Sequence, residues 1–263
     1  MNKLTTLYPI VLLLMVGCAS NARVSIDMGE PPCCAEAAGY AIAQAPLEGG
    51  PLFDPVVKKI EGWTVHIEPS LLEGGKHAEV GGKAIKMLAN HLQRIAVLMP
   101  DDKLATVQKL EIWIENKHPQ LGAMQYHPSQ RWLEGKGYDS RLAKKYHIPR
   151  AAALYSRGQL LKHPAVVLHE LAHAYHDQVL GFDDARVIAA YESAMQSKLY
   201  DKVMLYTGQQ VRHYAATNHK EFFAEATEAY FYRNDFYPFV AAELKAHDPK
   251  TYKLMETIWG PLR

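Results

Sequence analysis

The sequence has few of the features that mark specialised classes of protein. Only 3 of its 263 residues are cysteine, which is a poor basis for a disulfide framework. The formal net charge is +1, without a long run of one sign, so nothing in the charge predicts nucleic acid as a partner. No repeat of the kind that builds solenoids is evident. What remains is an ordinary globular composition, 48% hydrophobic and 22% charged, which allows one large domain or two small ones.

The apolar run at the N-terminus is short. Residues 10–16 are continuously apolar and follow Lys3, whereas a membrane-spanning helix needs roughly 20 residues. We therefore predict a signal peptide over residues 1–18. Its last four residues, M-V-G-C, resemble a bacterial lipoprotein signal, which predicts that Cys18 carries a lipid and anchors an exported protein to the cell envelope. An ordinary signal peptide that happens to contain a cysteine is the alternative.

Residues 19–54 are predicted to form a flexible linker. They carry Asn, Ser, Gly, Pro and Ala without lasting periodicity, and the breakers P-P at 31–32 and G-G-P at 49–51 interrupt regular structure. Cys33 and Cys34 lie in this stretch, and no function is assigned to them. One domain is expected over residues 55–263.

Strand and helix patterns alternate in the first part of that domain. Residues 63–67 and 110–115 are rich in β-branched and aromatic residues and predict strands, and residues 151–155 are a possible further strand. Between the first two, apolar residues recur at spacings of three and four from Ile85 onward, which predicts a helix. The chain after residue 180 is expected to be fully helical. We therefore expect an α+β fold, in which a small mixed sheet with helices on one side precedes a helical C-terminal part.

Residues 169–173 read H-E-L-A-H inside an apolar helical pattern, and they lie at the expected junction of the two parts. Histidines four residues apart share one helical face, so both imidazoles can reach one zinc ion at roughly 2.0–2.1 Å. Glu170 lies beside the first histidine and can act as general base on a zinc-bound water. Because the H-E-x-x-H pattern fixes only three residues, two ordinary core or surface histidines that match by chance are the alternative.

A catalytic zinc ion usually has three protein ligands and keeps a fourth position for water, so a third ligand must come from further along the chain. The spacing H-E-x-x-H-x-x-G-x-x-H would place a histidine at position 179, which is Val179, so that class is excluded. His176 lies on roughly the same helical face but one turn beyond, which makes it a poor candidate.

A better source is the helix that Asn218 is expected to cap. Its acidic residues Glu221, Glu225 and Glu228 follow the i, i+4, i+7 spacing of one face, among bulky apolar residues. An acidic stripe on such a helix is expected to face positive charge, and zinc with its histidines is a candidate. Two alternatives stay open, since Glu221 also occupies the capping-box position after Asn218 and the stripe could be a solvated charged face.

Residues 169–173 together with residues 214–225, which read Y-A-A-T-N-H-K-E-F-F-A-E, resemble the catalytic domain of the anthrax lethal-factor-like metallopeptidases, which are gluzincin-type zinc enzymes. That family shows H-E-x-x-H followed by Y-x-x-T-N-x-x-E-F-F-A-E at a similar separation. The second pattern is long and therefore specific, and the resemblance is strong over residues 160–235. Over residues 55–160 the resemblance depends on the order of the elements.

The resemblance implies a role for several residues. The implied zinc ligands are His169, His173 and Glu221. Glu170 is implied as the general base, Tyr214 as the residue whose hydroxyl faces the oxyanion, and Glu225 as the carboxylate that holds a ligand histidine. Asp177, four residues after the second ligand histidine, is a further candidate for orienting a histidine. From the pattern alone, Tyr214 would be a buried core tyrosine.

The expected function is zinc-dependent hydrolysis of peptide bonds by a zinc-activated water with Glu170 as general base. The expected partner is a peptide or protein substrate, whose backbone pairs with an exposed sheet edge in a cleft at the junction. The protein is expected to be a monomer. Two alternatives are a metal- or partner-binding surface lipoprotein without activity, against which Glu170 itself argues, and a zinc amidase that acts on cell-wall peptides.

Other conspicuous residues are expected to be structural. Residues 126–128, which read Y-H-P, and the pair Trp132 and Leu133 could line the cleft, although packing is favoured. His213 and His219 flank the Tyr214–Glu221 segment and could touch substrate. The histidines without ligand spacing, which we expect at the surface or in the ordinary core, are His66, His77, His91, His118, His147 and His247.

Overall fold

A computed structural model of the protein describes residues 53–262. The signal peptide, the lipidated Cys18, the pair Cys33 and Cys34 and most of the linker lie outside the described residues, and they stay predictions. Between residues 53 and 262, no helix combines the length and the apolar character that crossing a bilayer requires.

A mixed sheet forms in the first half of the described chain. Its strands are β1 (Val56–Ile60), β2 (Trp63–Ile67), β3 (Glu111–Ile114), β4 (Gln125–Tyr126) and β5 (Lys145–Ile148). The order across the sheet is β1-β2-β3-β5-β4. The inner strands β2, β3 and β5 are parallel, whereas β1 and β4 run antiparallel to their neighbours. The two outer strands, β1 and β4, are therefore the edges of the sheet.

Helices dominate the rest of the described chain. The α-helices are α1 (Ala78–Leu98), α2 (Asp101–Val107), α3 (Gln130–Gly135), α4 (Arg157–Lys162), α5 (Val166–Tyr175), α6 (Ala185–Ser197), α7 (His219–Phe231), α8 (Ala241–His247) and α9 (Pro249–Trp259). Together with the sheet they confirm the expected α+β class, with a small mixed sheet followed by a largely helical part.

The structure confirms the strands expected at residues 63–67 and 110–115 and the first long helix. The strand expected at residues 151–155 is wrong, because Ala151–Tyr155 is a 3-10 helix. Its buried residues Ala151 and Leu154 are three apart, which matches the period of three of a 3-10 helix. A run of five apolar residues is too short for periodicity to separate the two possibilities.

The expectation of purely helical structure after residue 180 is also wrong. A small hairpin interrupts the helices, formed by β6 (Val203–Met204) and β7 (Gln210–Val211), which pair antiparallel. Gly208, with φ of +87°, lies in the connection between them. Strands of two residues are too short to leave an alternating pattern in the sequence.

The two faces of the sheet are covered differently. On one face, Val65, Ile112 and Ile114 contribute to the main core, which they share with residues of α1, α5, α7 and α9. Alternate residues of a strand point to opposite faces. Trp113 therefore lies on the other face, where it packs with Leu133 of α3 in a smaller cluster.

Helices α5 and α7 pack against each other at the centre of the molecule. Every residue of α5 is buried, as expected for a helix that is apolar nearly all round. The α-helix continues into a π-helical turn, His176–Leu180, and Gly181, with φ of +85°, ends it. At the start of α7, the Asn218 side chain accepts hydrogen bonds from the amides of Lys220 and Glu221 at 2.9 and 3.0 Å. This cap fixes the first turn of α7, from which Glu221 faces α5.

Candidate metal centre

Three side chains of α5 and α7 converge on one point. His169 and His173 lie one turn apart on α5, and their Nε2 atoms are 3.1 Å from each other. Glu221, in the first turn of α7, places Oε2 at 3.2 Å from both Nε2 atoms. All three residues are buried. The three atoms therefore form a nearly equilateral triangle, and we call these residues the metal-facing trio.

The metal-facing trio fits a zinc ion. Distances of about 2.0–2.1 Å from zinc and tetrahedral angles separate neighbouring ligand atoms by roughly 3.3 Å, close to the sides of the triangle. Glu221 Oε1 is buried and has no hydrogen-bond partner within the protein. A buried carboxylate oxygen without a partner is costly unless a cation or a proton donor satisfies it. The chemistry of the donor set, two imidazoles and a carboxylate, is the one that catalytic zinc uses.

The charges of the trio interact strongly in the metal-free protein. Burial alone would raise the pKa of Glu221, but the positive charge of His173 and the hydrogen bonds with both histidines outweigh it and hold the pKa well below its usual range. Burial would lower the pKa of His169, whereas its hydrogen bonds with Glu221 and Glu228 hold that pKa well above its usual value. The surroundings of His169 therefore favour positive charge, which a divalent cation would supply.

Glu170 belongs to the same helix, but its carboxylate is held by the sheet. The backbone N–H of Tyr126 in β4 donates a hydrogen bond to Glu170 Oε2 at 2.7 Å. Burial raises the pKa of Glu170. A carboxylate with a raised pKa takes and returns protons closer to neutral pH, which suits a general base. The candidate base is thus tied to an edge strand of the sheet.

A second carboxylate of α7 lies on the other side of His169. Glu228 Oε1 is 2.6 Å from His169 Nδ1 and 2.9 Å from His163 Nε2. The resemblance implied Glu225 for this contact, but the Glu225 oxygen is 3.7 Å from His169 Nδ1, beyond hydrogen-bond distance. Asn234 Nδ2 donates to Glu225 Oε2 at 2.8 Å instead. The structure therefore places Glu228, and not Glu225, as the hydrogen-bond partner of the ligand histidine.

Helix geometry explains this correction. At 100° per residue, a residue seven positions after Glu221 is rotated by roughly 20° from it, whereas a residue four positions after is rotated by roughly 40° in the other direction. Glu228 therefore follows the line along which Glu221 faces α5 more closely than Glu225 does.

Asp177 is also placed differently from the expectation. Tyr126 Oη donates to Asp177 Oδ2 at 2.5 Å, and Lys144 Nζ donates to the same oxygen at 2.6 Å. These contacts connect the π-helical turn after α5 with β4 and with the residue before β5. The expectation that Asp177 orients a histidine is therefore corrected, because its carboxylate binds a tyrosine and a lysine.

Tyr214 begins the 3-10 helix Tyr214–Ala216, which packs on α7 just before the cap of that helix. The residue is half-buried. Its role at the oxyanion stays a prediction.

His213 accepts a hydrogen bond from the amide of Ala215 at 3.0 Å, and His219 Nε2 donates to the carbonyl oxygen of Phe182 at 2.7 Å. Both histidines thus have structural hydrogen-bond partners within the protein.

His176 is buried outside the trio, as its position one turn beyond predicted. Its ring packs against Phe182 and Phe223, with centroid distances of 5.2 and 4.8 Å. Burial is the main reason why its pKa is lowered to about 3, so this histidine is neutral.

Three contributions to the site were missed or only partly recognised in the sequence. Glu228 carried a signal, its i+7 spacing from Glu221, but it lies outside the shared family pattern. His163, six residues before His169, has no ligand spacing and is brought into place by the connection between α4 and α5. The backbone amide of Tyr126 has no sequence signal at all, since its role depends on the position of β4.

A family model supports the resemblance independently. Residues 129–258 match the family described as anthrax toxin lethal factor, N- and C-terminal domain. No curated protein matches the chain. The matched residues include α5 and α7 and therefore the whole metal-facing trio. The chain thus contains a lethal-factor-like domain, which spans residues 129–258.

Proposed function

We propose that the protein is a zinc metallopeptidase that hydrolyses peptide bonds in a protein or peptide substrate. The observation that carries this proposal is the convergence of His169, His173 and Glu221 next to a glutamate, Glu170, that the metal trio itself does not need. Proteins that only bind zinc do not require this fourth residue. The lethal-factor-like domain supports the same interpretation, because this family is associated with zinc metalloprotease activity.

The residues of the chain divide the chemistry between them. When bound by the trio, zinc would act as a Lewis acid on the scissile carbonyl and would lower the pKa of water toward about 7. Glu170 is anchored through Oε2 by the Tyr126 amide, which leaves its second oxygen to take the proton of the attacking water and to pass it to the leaving amine. We assign Tyr214, in the turn before α7, to donate its hydroxyl to the developing oxyanion.

The substrate would bind along β4. This strand is an edge of the sheet, where an extended peptide can add as a further strand, with the Tyr126 amide already bonded to Glu170. Because the Tyr126 amide in β4 also holds Glu170, a peptide that pairs with the strand would lie in fixed register with the base. Register of this kind places one particular peptide bond at the metal-facing trio, which is what specific cleavage requires.

The decisive variant is Glu170→Gln, which keeps the size of the side chain and removes its basicity. We expect it to bind one zinc ion, as the unchanged protein does, and to lose about 10²–10⁴ in kcat/KM. Glu192→Gln is the matched control, because Glu192 is exposed on α6, and we expect it to keep full activity. Undiminished hydrolysis by the Glu170→Gln protein would refute the assigned base.

The substrate is identified by mass-spectrometric mapping of cleavage sites in a proteome-derived peptide library, with zinc-loaded soluble protein that starts near residue 50. Cleavage at defined positions supports the proposal. Parallel assays with muropeptides and casein separate a peptidase from a cell-wall amidase. A protein that holds one zinc ion and cuts none of these substrates would be a metal-binding module instead.

We further propose that the protein is exported and held at the cell envelope by a lipid on Cys18. The support is the M-V-G-C end of the apolar N-terminal segment. Metabolic labelling with a radioactive fatty acid should mark the full-length protein and not its Cys18→Ser variant. Labelling of both forms, or of neither, would contradict the anchor.

A further inference from the structure

His169 is held from two sides. Its Nε2 belongs to the metal-facing trio, and its Nδ1 lies 2.6 Å from Glu228 Oε1. The same carboxylate oxygen is 2.9 Å from Nε2 of His163, which lies just before α5. Glu228 is fully buried, and the two imidazoles are at 5.1 Å between ring centroids, edge to face. We call His163 and Glu228 the supporting pair.

We propose that Glu228 is the positioning residue that fixes His169 as a metal ligand, and that His163 in turn holds Glu228. The inference rests on the proposed metal centre and not on peptide hydrolysis. It concerns residues outside the shared H-E-x-x-H and E-F-F-A-E patterns, so it is a property of this chain's own packing.

The geometry decides which nitrogen of His169 carries the proton. A carboxylate 2.6 Å from Nδ1 accepts a hydrogen bond from it, so a proton stays on Nδ1 and Nε2 is the nitrogen that can give up its proton to bind the metal. A hydrogen bond this short, to an ionised acceptor, is among the stronger ones in proteins. It fixes the ring orientation and raises the basicity of the ligand nitrogen. Loss of Glu228 removes both effects.

His163 explains why Glu228 can be buried. An ionised carboxylate in a protein interior is costly unless it is paired and hydrogen-bonded. His169 supplies one donor and His163 a second, both to Oε1, whereas Glu228 Oε2 has no partner within the protein. Without His163 the carboxylate would keep a single donor. The effect of losing His163 on the metal is therefore indirect and smaller than the effect of losing Glu228.

A second cation in this place is the competing interpretation. His163, His169, Glu225 and Glu228 each offer one ligand atom, and these atoms lie within 4.8 Å of one another. However, two ligand atoms of one zinc ion are roughly 3.3 Å apart, which is well beyond the 2.6 Å between His169 Nδ1 and Glu228 Oε1. The Glu225 carboxylate is moreover bound by Asn234 at 2.8 Å. These distances describe hydrogen bonds and not the ligands of a second metal ion.

Glu225 and Glu228 form a matched pair for the test, since both are buried glutamates of α7 and only Glu228 lies within hydrogen-bond distance of His169. Zinc affinity is measured by competition with a chromophoric chelator, on protein that lacks only the predicted signal segment, residues 1–18. We expect Glu228→Ala to raise the Kd for zinc about 10–100-fold, the range that outer partners of ligand histidines contribute. Glu225→Ala should change it less than about threefold, and His163→Ala should fall between the two, with partial recovery in His163→Gln.

Folding is checked by circular dichroism and by thermal unfolding of the zinc-free variants. If Glu228→Ala does not fold, Glu228→Gln and Glu225→Gln, which keep side-chain volume, carry the comparison with the same order of effects. Nitrogen-15 spectra of the histidine rings add a readout that a purely structural role would not move. The zinc-loaded protein should show His169 protonated at Nδ1, with a hydrogen-bonded signal that Glu228→Ala loses.

The outcomes are separable. Equal effects of the Glu225 and Glu228 variants, or an unchanged Kd in Glu228→Ala, would overturn the inference. A stoichiometry of two zinc ions per chain, falling to one in Glu228→Ala, would establish the second cation in its place. Zinc affinities that follow the expected order in a protein that cuts no peptide would refute only the proposed function. Failure of the unchanged protein to bind zinc would refute both.

Discussion

The sheet contains a second buried group of histidines and glutamate, and its hydrogen bonds differ from those of the metal-facing trio. Trp113 Nε1 donates to Glu115 Oε1 at 3.1 Å, and His147 Nε2 is 3.0 Å from the same oxygen. His147 Nδ1 in turn lies 3.1 Å from His127 Nε2. We call Glu115, His127 and His147 the sheet chain, and it lies on the face of the sheet opposite the main core.

Residue type alone therefore does not decide whether a buried cluster of histidines and glutamates suits a metal ion. In the sheet chain, each contact can pair one donor with one acceptor. Trp113 Nε1 donates to Glu115, and neutral imidazoles, each with one N–H and one bare nitrogen, can satisfy the His147–Glu115 and His127–His147 contacts. In the metal-facing trio, two imidazole Nε2 atoms and one carboxylate oxygen all face one point, and Glu221 Oε1 is left without a hydrogen-bond partner. Within residues 53–262, the groups that could hold a metal ion all include His169. The arrangement of donor and acceptor atoms therefore distinguishes the metal-facing trio from the sheet chain.

The two clusters also differ in charge. Burial is the main reason why the pKa of His127 and that of His147 are lowered to about 3, so both histidines are neutral at physiological pH. Burial raises the pKa of Glu115 to about 7. In the trio, by contrast, the surrounding carboxylates raise the pKa of His169. The sheet chain is therefore set up to stay uncharged, and the trio to accept a cation.

The sharpest test of this comparison removes one histidine from each cluster. We expect His173→Ala to lose stoichiometric zinc, with a loss of affinity larger than the roughly 10–100-fold that an outer partner contributes. His147→Gln should keep one zinc ion with unchanged affinity. Metal content after dialysis, measured by mass spectrometry, distinguishes them. Zinc loss from the His147→Gln protein, with its fold intact by circular dichroism, would show that the sheet chain also takes part in binding the metal.

Acid should destabilise the sheet chain through its neutral histidines. In the unfolded chain each of the two histidines binds a proton near pH 6.5, whereas in the folded state His127 and His147 bind one only near pH 3. Their contribution to the free energy of unfolding is therefore complete above pH 6.5 and is lost as the pH falls toward 3. Glu115 has the opposite pH dependence, because its pKa is higher in the folded state than in the unfolded chain. Its contribution to the free energy of unfolding is complete below pH 4.5 and is lost as the pH rises to about 7.

Between pH 5 and 6, unfolding takes up about two protons at the histidines and releases about one from Glu115. The net uptake of about one proton should lower the free energy of unfolding by about 1.4 kcal/mol for each pH unit of acidification. Replacing His127 with leucine removes one of the two protons and should cancel this net slope. Urea unfolding of the zinc-free protein and of the His127→Leu variant at pH 5 and pH 6 measures the difference. An identical pH dependence in the two proteins would contradict the assignment of neutral buried histidines.

The smallest expected effect is that of Asp177→Asn. Because Asp177 contacts Tyr126 and Lys144 and not a ligand histidine, we expect zinc affinity to change less than twofold. The loss of a charged acceptor should cost about 1–2 kcal/mol of stability in urea unfolding. A large fall in zinc affinity would show that Asp177 does act on the metal site.

The sequence predicts the helical half of the site better than the sheet half. α5 and α7 are long enough for helical spacing to place His169, His173 and Glu221 on facing surfaces, and the family pattern supports the third ligand. β4, by contrast, has two residues, and β5 alternates between faces that are both buried, so neither leaves a clear period.

Contacts between distant segments explain the rest. His163 reaches Glu228 across 65 residues of sequence, and the Tyr126 amide reaches Glu170 across 44. Such pairs depend on the tertiary path of the chain, which no local spacing encodes. Glu225 illustrates the converse, since its place in the family pattern pointed to His169, while Asn234 binds it in this chain.

Anomalous diffraction at the zinc absorption edge, from crystals of the zinc-loaded protein, locates the bound ion and identifies its ligands. We expect one peak per chain, at about 2.0–2.2 Å from His169 Nε2, His173 Nε2 and a carboxylate oxygen of Glu221. A peak bound by other residues, or crystals of the zinc-loaded protein without a peak between α5 and α7, would contradict the proposed metal centre.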